Sequence, residues 1–428
     1  MIVQHLFLML CYAAVVSAKI FDTSPIEGMA SWSVNSTSVN NSYRKLVDEA
    51  DNSSRDKCLI VVNDKIRGHL NWMQDWFQKS AATNCRHAVR ITENKGEMNK
   101  ADVILFHAPS HHGGAGKSVQ RFRRKQGDGT FRAITAMVSM EQPKYAPVMT
   151  QMKYLMANID LMVTYNLAHT YPNSQHKLAN LPITYYPLNI VSPQAIMHPG
   201  RPFSLKTGYD TGVEVALFTS NCGNAGAKER YRYIEELMKY VKVHSYGKCF
   251  KNREEPQLAE DPRWPAIAQR RSHKIRILSH YKFYLAFENS PILDYVSEKV
   301  FEGLIAGTLP IYRGASSIAY FMPSNDSFID ANNLSPRQLA DKIIALGKDE
   351  AAYNAYFQFK TSATAGPGSG ETAATGRSST SSGISTTTTT DSKIMPAPAA
   401  FEQMALMSYV HPNVLCRICE YALPVVDS

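Results

Sequence analysis

Apolar runs bounded by turn residues recur along the chain, with room for a helix between them. Leu59-Ile-Val-Val62, Ala101-Asp-Val-Ile-Leu-Phe-His107 and Ala133 to Met140 read as strands. Leu70 to Phe77 reads as a short helix with Trp72 and Trp76 on one side. This alternation predicts an α/β domain over residues 57–200, closed by a linker at Pro199-Gly200-Arg-Pro202. A second α/β domain is expected over 203–360. It starts near Val213-Glu-Val-Ala-Leu-Phe218, continues through a helix at 227–241 and reaches a strand at Val241 to Tyr246.

The most informative stretch is 281–314. Tyr281-Lys-Phe-Tyr-Leu-Ala-Phe287 predicts a buried strand. Asp294 is placed to cap a following helix and Gly307 to end it. On a 3.6-residue period Val296, Val300, Phe301, Leu304 and Ile305 share one side, and Tyr295, Glu298, Lys299 and Glu302 the other. Thr308 to Tyr312 then predicts another strand. Such a unit puts the start of the polar face at the carboxyl end of a strand, where α/β sheets hold phosphorylated ligands. Taken as pattern alone, an adjacent Glu-Lys on a helix is a solvated face.

Composition narrows the setting. At 428 residues the chain fits two domains, and 44% hydrophobic with 19% charged residues is globular. A net charge of +9 points to anionic partners. No nucleic-acid-binding module surrounds the densest basic run, Arg121-Phe-Arg-Arg-Lys125, which reads as a solvated loop, so no nucleic-acid partner is expected. Residues 1–18 carry an apolar stretch and a Val16-Ser17-Ala18 pattern, fitting a cleaved signal peptide or a short signal-anchor. Residues 19–56 read as a polar stem. Sequons at Asn35, Asn40 and Asn52 cluster there, with two more at Asn325 and Asn333, and together they point to the secretory pathway. Residues 361–400 hold a Gly, Ser, Thr, Ala and Pro-rich insert that is expected to be disordered, ahead of a tail at 401–428. Outside Cys11 six cysteines remain, an even count compatible with disulfides. Cys416-Arg-Ile-Cys419 lacks the second Cys/His pair of a zinc site and is expected to form a short-loop disulfide. His111-His112 is discounted as a metal site, because adjacent side chains point apart on a strand or helix.

Phe287-Glu-Asn-Ser290, a three-residue spacer and Asp294-Tyr-Val-Ser-Glu-Lys299 resemble the donor-binding motif of the α1,3-fucosyltransferases, with Ser297 where the family usually has Thr. The resemblance implies a GT-B-like arrangement, two Rossmann-like α/β domains facing a cleft. The first domain would serve the acceptor and the second would bind GDP-fucose. It implies donor contacts from Asn289, Tyr295, Glu298 and Lys299. It also implies a contact from Arg230, since Ser220-Asn-Cys and Lys228-Glu-Arg230-Tyr-Arg232 resemble the family segment whose Arg meets the donor phosphates. Met137-Val-Ser-Met-Glu141-Gln-Pro-Lys-Tyr145 resembles the family's strand–Glu loop and implies Glu141 as the base that deprotonates the acceptor hydroxyl. The chain contains no Asp-x-Asp, so charge compensation is expected from Lys and Arg, without an essential metal or other cofactor. Cys222 and Tyr246-Gly-Lys-Cys249 look most like the plant-type branch acting on the N-glycan core, and the family often ends in Cys-x-x-Cys.

The activity so implied is inverting transfer of fucose to O3 of a GlcNAc in a glycan, in the Golgi, with the amino-terminal segment as a possible membrane tie. A Lewis-type or other acceptor, or a glycan-binding homologue without turnover, is the alternative. The chain departs from the family after Asp160-Leu-Met-Val-Thr-Tyr165, a segment near the acceptor in the family, which leaves acceptor identity open.

Overall fold

In a computed structural model of the chain, the described residues are 57–63, 87–111, 133–171 apart from 169, 178–186, 196–258 apart from 198 and 224–226, 269–361, and 404–427 apart from 406 and 409–412. The expected leader, stem, tryptophan helix and low-complexity insert lie outside them, as do His112 and the Arg121–Lys125 run. The chain divides into two units.

The first unit comprises 1–139, 146–182 and 412–428. Its strands are β1 (Lys57–Val62), β2 (Ala88–Thr92), β3 (Val103–His107), β4 (Ile134–Ser139), β5 (Leu161–Thr164), β6 (Thr170–Tyr171) and β7 (Leu178–Pro182). They form one sheet in the order β2-β1-β3-β4-β5-β7-β6, parallel except for the β6–β7 pair. Val103, Ile104, Leu105 and Phe106 are all buried, as expected of a strand covered on both faces. Polar residues at strand ends close the turns: Asp102 accepts from the Leu59 amide at 2.9 Å, and Asp160 from the Thr135 amide at 2.7 Å. Helix α1 (Met152–Asn158) leads into β5.

The second unit comprises 140–145 and 183–411. Its strands are β8 (Val215–Leu217), β9 (Val243–Ser245), β10 (Phe283–Phe287), β11 (Leu309–Arg313) and β12 (Ile329–Asp330). All pair in parallel, in the order β12-β11-β10-β8-β9. The helices are α2 (Lys228–Leu237), α3 (Gln269–Leu278), α4 (Glu298–Ala306), α5 (Pro336–Leu346), α6 (Glu350–Ala355) and α7 (Gln358–Thr361). From β8 the chain steps outward to β9 and then returns past β8 to β10. The strand order therefore reverses between β8 and β10, which is the topological switch point where open α/β sheets receive ligands.

Two α/β units match the expected fold class, but the division differs from the expected one. It falls after Pro182 instead of at 199–202, because β7 completes the first sheet and the chain then enters the second unit. There the Thr184 amide donates to Met407 O at 2.8 Å and its hydroxyl to Met404 O at 2.7 Å. The tail returns to the first unit as α8 (Asn413–Asp427).

Cys419 on α8 is bonded to Cys58 on β1, so the short-loop Cys416–Cys419 pairing is overturned. Residues three apart on a helix share a face, and here both cysteines are buried on the docked helix, where Cys419 meets β1. Cys416 is disulfide-bonded as well. The Cys58–Cys419 bond spans 361 residues and is worth about 2–4 kcal/mol by constraining the unfolded chain.

Candidate active site

Strand β10 brings five buried residues, Phe-Tyr-Leu-Ala-Phe, to the middle of the second sheet and is followed directly by Glu288. Helix α4 follows, but its cap differs from expectation. Asp294 lies in a turn at φ 63°, with its amide donating to Ser317 Oγ at 2.9 Å, and Ser297 is the N-cap. The Ser297 hydroxyl makes no cap bond to the helix. It goes to Glu288 instead, at 2.9 and 2.7 Å from the two carboxylate oxygens, and the Ser297 amide donates to Glu288 Oε1 at 2.7 Å. Gly307 ends α4 as expected, at φ 66°. A side chain there would also lie 2.5 Å from Gly200 Cα, so glycine is required twice over.

The polar side of α4 is not solvated. Glu302 is 1% exposed and accepts from Lys274 Nζ at 2.6 Å. Lys299 donates to Ser297 Oγ at 2.6 Å and to Glu288 Oε2 at 3.2 Å, and it stands 3.7 Å from Glu298. Burial works to lower the Lys299 pKa, but Glu288 and Glu298 outweigh it and hold the ammonium above its ordinary range. Glu298 and Lys299, adjacent in sequence, are thus also paired in space.

Arg230 projects from α2 and is 6% exposed, while Arg232 on the same helix is exposed. Its Nη1 donates to Phe287 O at 3.2 Å and to Asn289 Oδ1 at 2.7 Å, and its Nη2 donates to Asn221 O at 2.8 Å. The guanidinium thus joins the segment after β8 to the end of β10, across the switch point. Asn221 Nδ2 donates in turn to the Tyr145 hydroxyl at 2.7 Å, and Cys222–Cys249 ties the same segment to the loop after β9.

Glu141 lies in the 140–145 segment of this second unit. Burial, first of all, pushes its carboxyl above the ordinary range. Lys299 pulls it back, Glu298 and Glu288 add to the rise, and a Tyr295 hydrogen bond opposes it. Tyr295 is buried, and its phenol is pushed far up, by burial first and then by Glu141, Glu288 and Glu298.

All six residues singled out in the sequence therefore belong to one unit. Arg230 meets Asn289, Lys299 meets Glu298, and Glu141 senses Lys299, Glu298 and Tyr295. Sequence reasoning missed Glu288, Asn221 and Tyr145 as parts of this constellation. The available signal for Glu288 was an acid directly after an all-apolar strand, where a free carboxylate would be costly.

Residues 211–382 match glycosyltransferase family 10 (fucosyltransferase), C-terminal region. GDP-fucose protein O-fucosyltransferase 3 of Gallus gallus is 34% identical over 193 residues, covering 45% of this chain and 39% of the relative. The protein of the same name from Homo sapiens is 40% identical over 133 residues, covering 31% and 27%. Alpha-(1,3)-fucosyltransferase B of Drosophila melanogaster is 27% identical over 281 residues, covering 64% and 57%. The chain thus spans less than two thirds of the length of each of these relatives. A crystal structure of an α1,3-fucosyltransferase overlays with a TM-score of 0.47 at 16% identity, covering 72% of this chain and 83% of that one, too loose to establish a shared arrangement. The matched segment contains Arg230, Asn289, Tyr295, Glu298 and Lys299, whereas Glu141 lies outside it.

Proposed function

We propose that this chain is a GDP-fucose-dependent fucosyltransferase of inverting mechanism. The observation that carries the reading is Arg230, a buried guanidinium at the switch point whose hydrogen-bond partners, two carbonyls and an amide oxygen, are all neutral. A guanidinium has five N–H donors, and a buried charge hydrogen-bonded only to neutral groups, with Glu288 acting on it through its field alone, favours an anion beside it. The diphosphate of a nucleotide sugar supplies that anion at the place where α/β sheets receive one.

In this reading Glu141 takes the proton from the acceptor hydroxyl while that oxygen attacks the anomeric carbon of fucose from the face opposite GDP. The bond from that carbon to the phosphate oxygen breaks and GDP leaves with the electron pair. Arg230 and Lys299 stabilise the negative charge growing on the diphosphate. Asn289 and Glu298 have the hydrogen-bonding capacity to orient donor oxygens, and Tyr295 contacts donor and base together. Two fixed cations make a divalent metal unnecessary for donor binding, so a chelator should leave GDP affinity unchanged. The disulfides Cys58–Cys419 and Cys222–Cys249 and the sequons support a secretory, Golgi location.

For the acceptor we propose O3 of GlcNAc in the N-glycan core, supported by the resemblance around Cys222 and Tyr246-Gly-Lys-Cys249. A second reading, a protein hydroxyl as acceptor, is favoured by the relatives named GDP-fucose protein O-fucosyltransferase 3. Incubation with GDP-fucose and three acceptor sets, N-glycan-core glycopeptides, Lewis-type oligosaccharides and folded protein domains, followed by mass spectrometry, separates them. Fucose on none of the three, together with no measurable GDP affinity, would overturn the proposal.

A further inference from the structure

Glu288 has no role in the scheme above, yet the site is built around it. Its side chain has no solvent exposure. It accepts from the Ser297 amide, the Ser297 hydroxyl and the Lys299 ammonium. Its own amide donates to Arg313 O at 2.8 Å, which anchors it between β10 and β11. Gly314 leaves the space it fills, since a Cβ there would lie 2.6 Å from Glu288 Cγ. A fully buried carboxylate persists only when paired and hydrogen-bonded, and Glu288 is both. Ser297, freed from capping its helix, bridges the two charges, donating to Glu288 and accepting from Lys299 at 2.6 Å.

We propose that Glu288 is a positioning residue of this site, whose buried carboxylate fixes the start of α4 and holds the Lys299 ammonium charged and aimed for the donor diphosphate. The inference rests on the donor reading above and deepens it. Lys299 would otherwise be hard to keep charged, because desolvation disfavours a buried ammonium. The groups facing it are Glu288 and Tyr284 from β10 and its end, Glu298 on its own helix, Lys274 on α3, and Glu141 in the 140–145 segment. Glu288 is the largest of the opposing charges, and it also acts on Arg230. Glu288 therefore sits within the field of both cations assigned to the diphosphate.

The test is Glu288→Gln, which keeps an acceptor for Ser297 and removes the charge. GDP affinity should fall about tenfold, the scale of one lost charge-assisted contact. The pH at which affinity is lost on the alkaline side should move down by about one unit, as Lys299 loses its main countercharge. Lys299→Met should abolish that alkaline limb, and adding Glu288→Gln to it should change GDP affinity less than Glu288→Gln does alone, leaving only the part that acts through Arg230. Glu288→Asp, which keeps the charge, should restore the limb in part, and it carries the test if the Gln variant does not melt cooperatively. A wild-type pH dependence in Glu288→Gln, or an effect fully additive with Lys299→Met, overturns the proposal. If the wild type binds no GDP at all, the donor reading fails, and NMR of ¹³Cε-lysine then decides the inference alone. A Lys299 titration lowered in Glu288→Gln supports it, and an unmoved one overturns it.

Discussion

Helices α4 and α5 lie in the same unit and begin alike, with a serine at the N-cap and an apolar side toward the sheet. At α5 the capping groups serve the helix. Ser335 accepts from the Gln338 amide and Gln338 answers with a reciprocal bond, a complete capping box, with Pro336 at the first turn. Arg337 and Asp341 pair at 3.2 Å with side chains 67% and 58% exposed, while Leu339, Ala340 and Ile343 are buried. At α4 the cap hydroxyl is diverted to Glu288, and Glu302 is buried against Lys274. The first helix gives up a capping bond to a buried ionic cluster, and the second keeps its own. The departure from the usual rules of helix ends thus marks the proposed site better than the amphipathic pattern, which both helices share.

The sharpest way to break this comparison is Glu141→Gln, which leaves both helices intact but removes the carboxylate that senses Lys299 and Glu298. Fucosyl transfer should fall about 10²–10⁴-fold with GDP affinity unchanged. As the proposed base Glu141 acts in its carboxylate form, and burial raises its pKa above the ordinary carboxylate range. Wild-type kcat/KM should therefore decline as pH falls, from a pH above the ordinary carboxylate range, and the Gln variant should lack that limb. Transfer near the wild-type rate would show that another group is the base.

Next in size is Lys299→Ala, expected to cost about 2–4 kcal/mol of transition-state stabilisation. Steady-state kinetics with GDP-fucose checks this, and an unaffected rate would return α4's polar side to a structural role. The paired serines then sharpen the contrast. Ser335→Ala should lower stability by about 1 kcal/mol in chemical denaturation and leave GDP binding alone. Ser297→Ala should weaken GDP binding more than it lowers stability. Equal behaviour of the two would erase the distinction between the helices. The smallest effect belongs to Arg337→Ala, whose exposed pairing with Asp341 should be worth under about 0.5 kcal/mol in thermal or denaturant melts.

Much of the local architecture was legible in the residue pattern. The buried run before Glu288, the helix after it and its end at Gly307 all follow from period, apolar content and glycine's tolerance of positive φ. So do β1, β3 and β4, each within a residue or two of its expected span. These are properties of neighbours in the chain, and a few residues of sequence suffice to specify them. The strands β2, β5, β6, β7 and β12 were not read, being short or poorly alternating segments that gain their stability from pairing partners.

What only the tertiary structure decided concerns groups distant in sequence. Pattern alone would place Glu298, Lys299 and Glu302 on a wet face; folding buried Glu302 against Lys274 and Lys299 against Glu288. Arg230 became a buried cation because Asn221, Phe287 and Asn289 converge on it. Cys419 found Cys58 and not Cys416's neighbourhood, because α8 docks on β1. Periodicity states which side chains share a face of their own element, and it carries no information about what that face will meet. A polar group's charge, partner and pKa are set by that meeting, since desolvation and pairing are properties of the assembled interior.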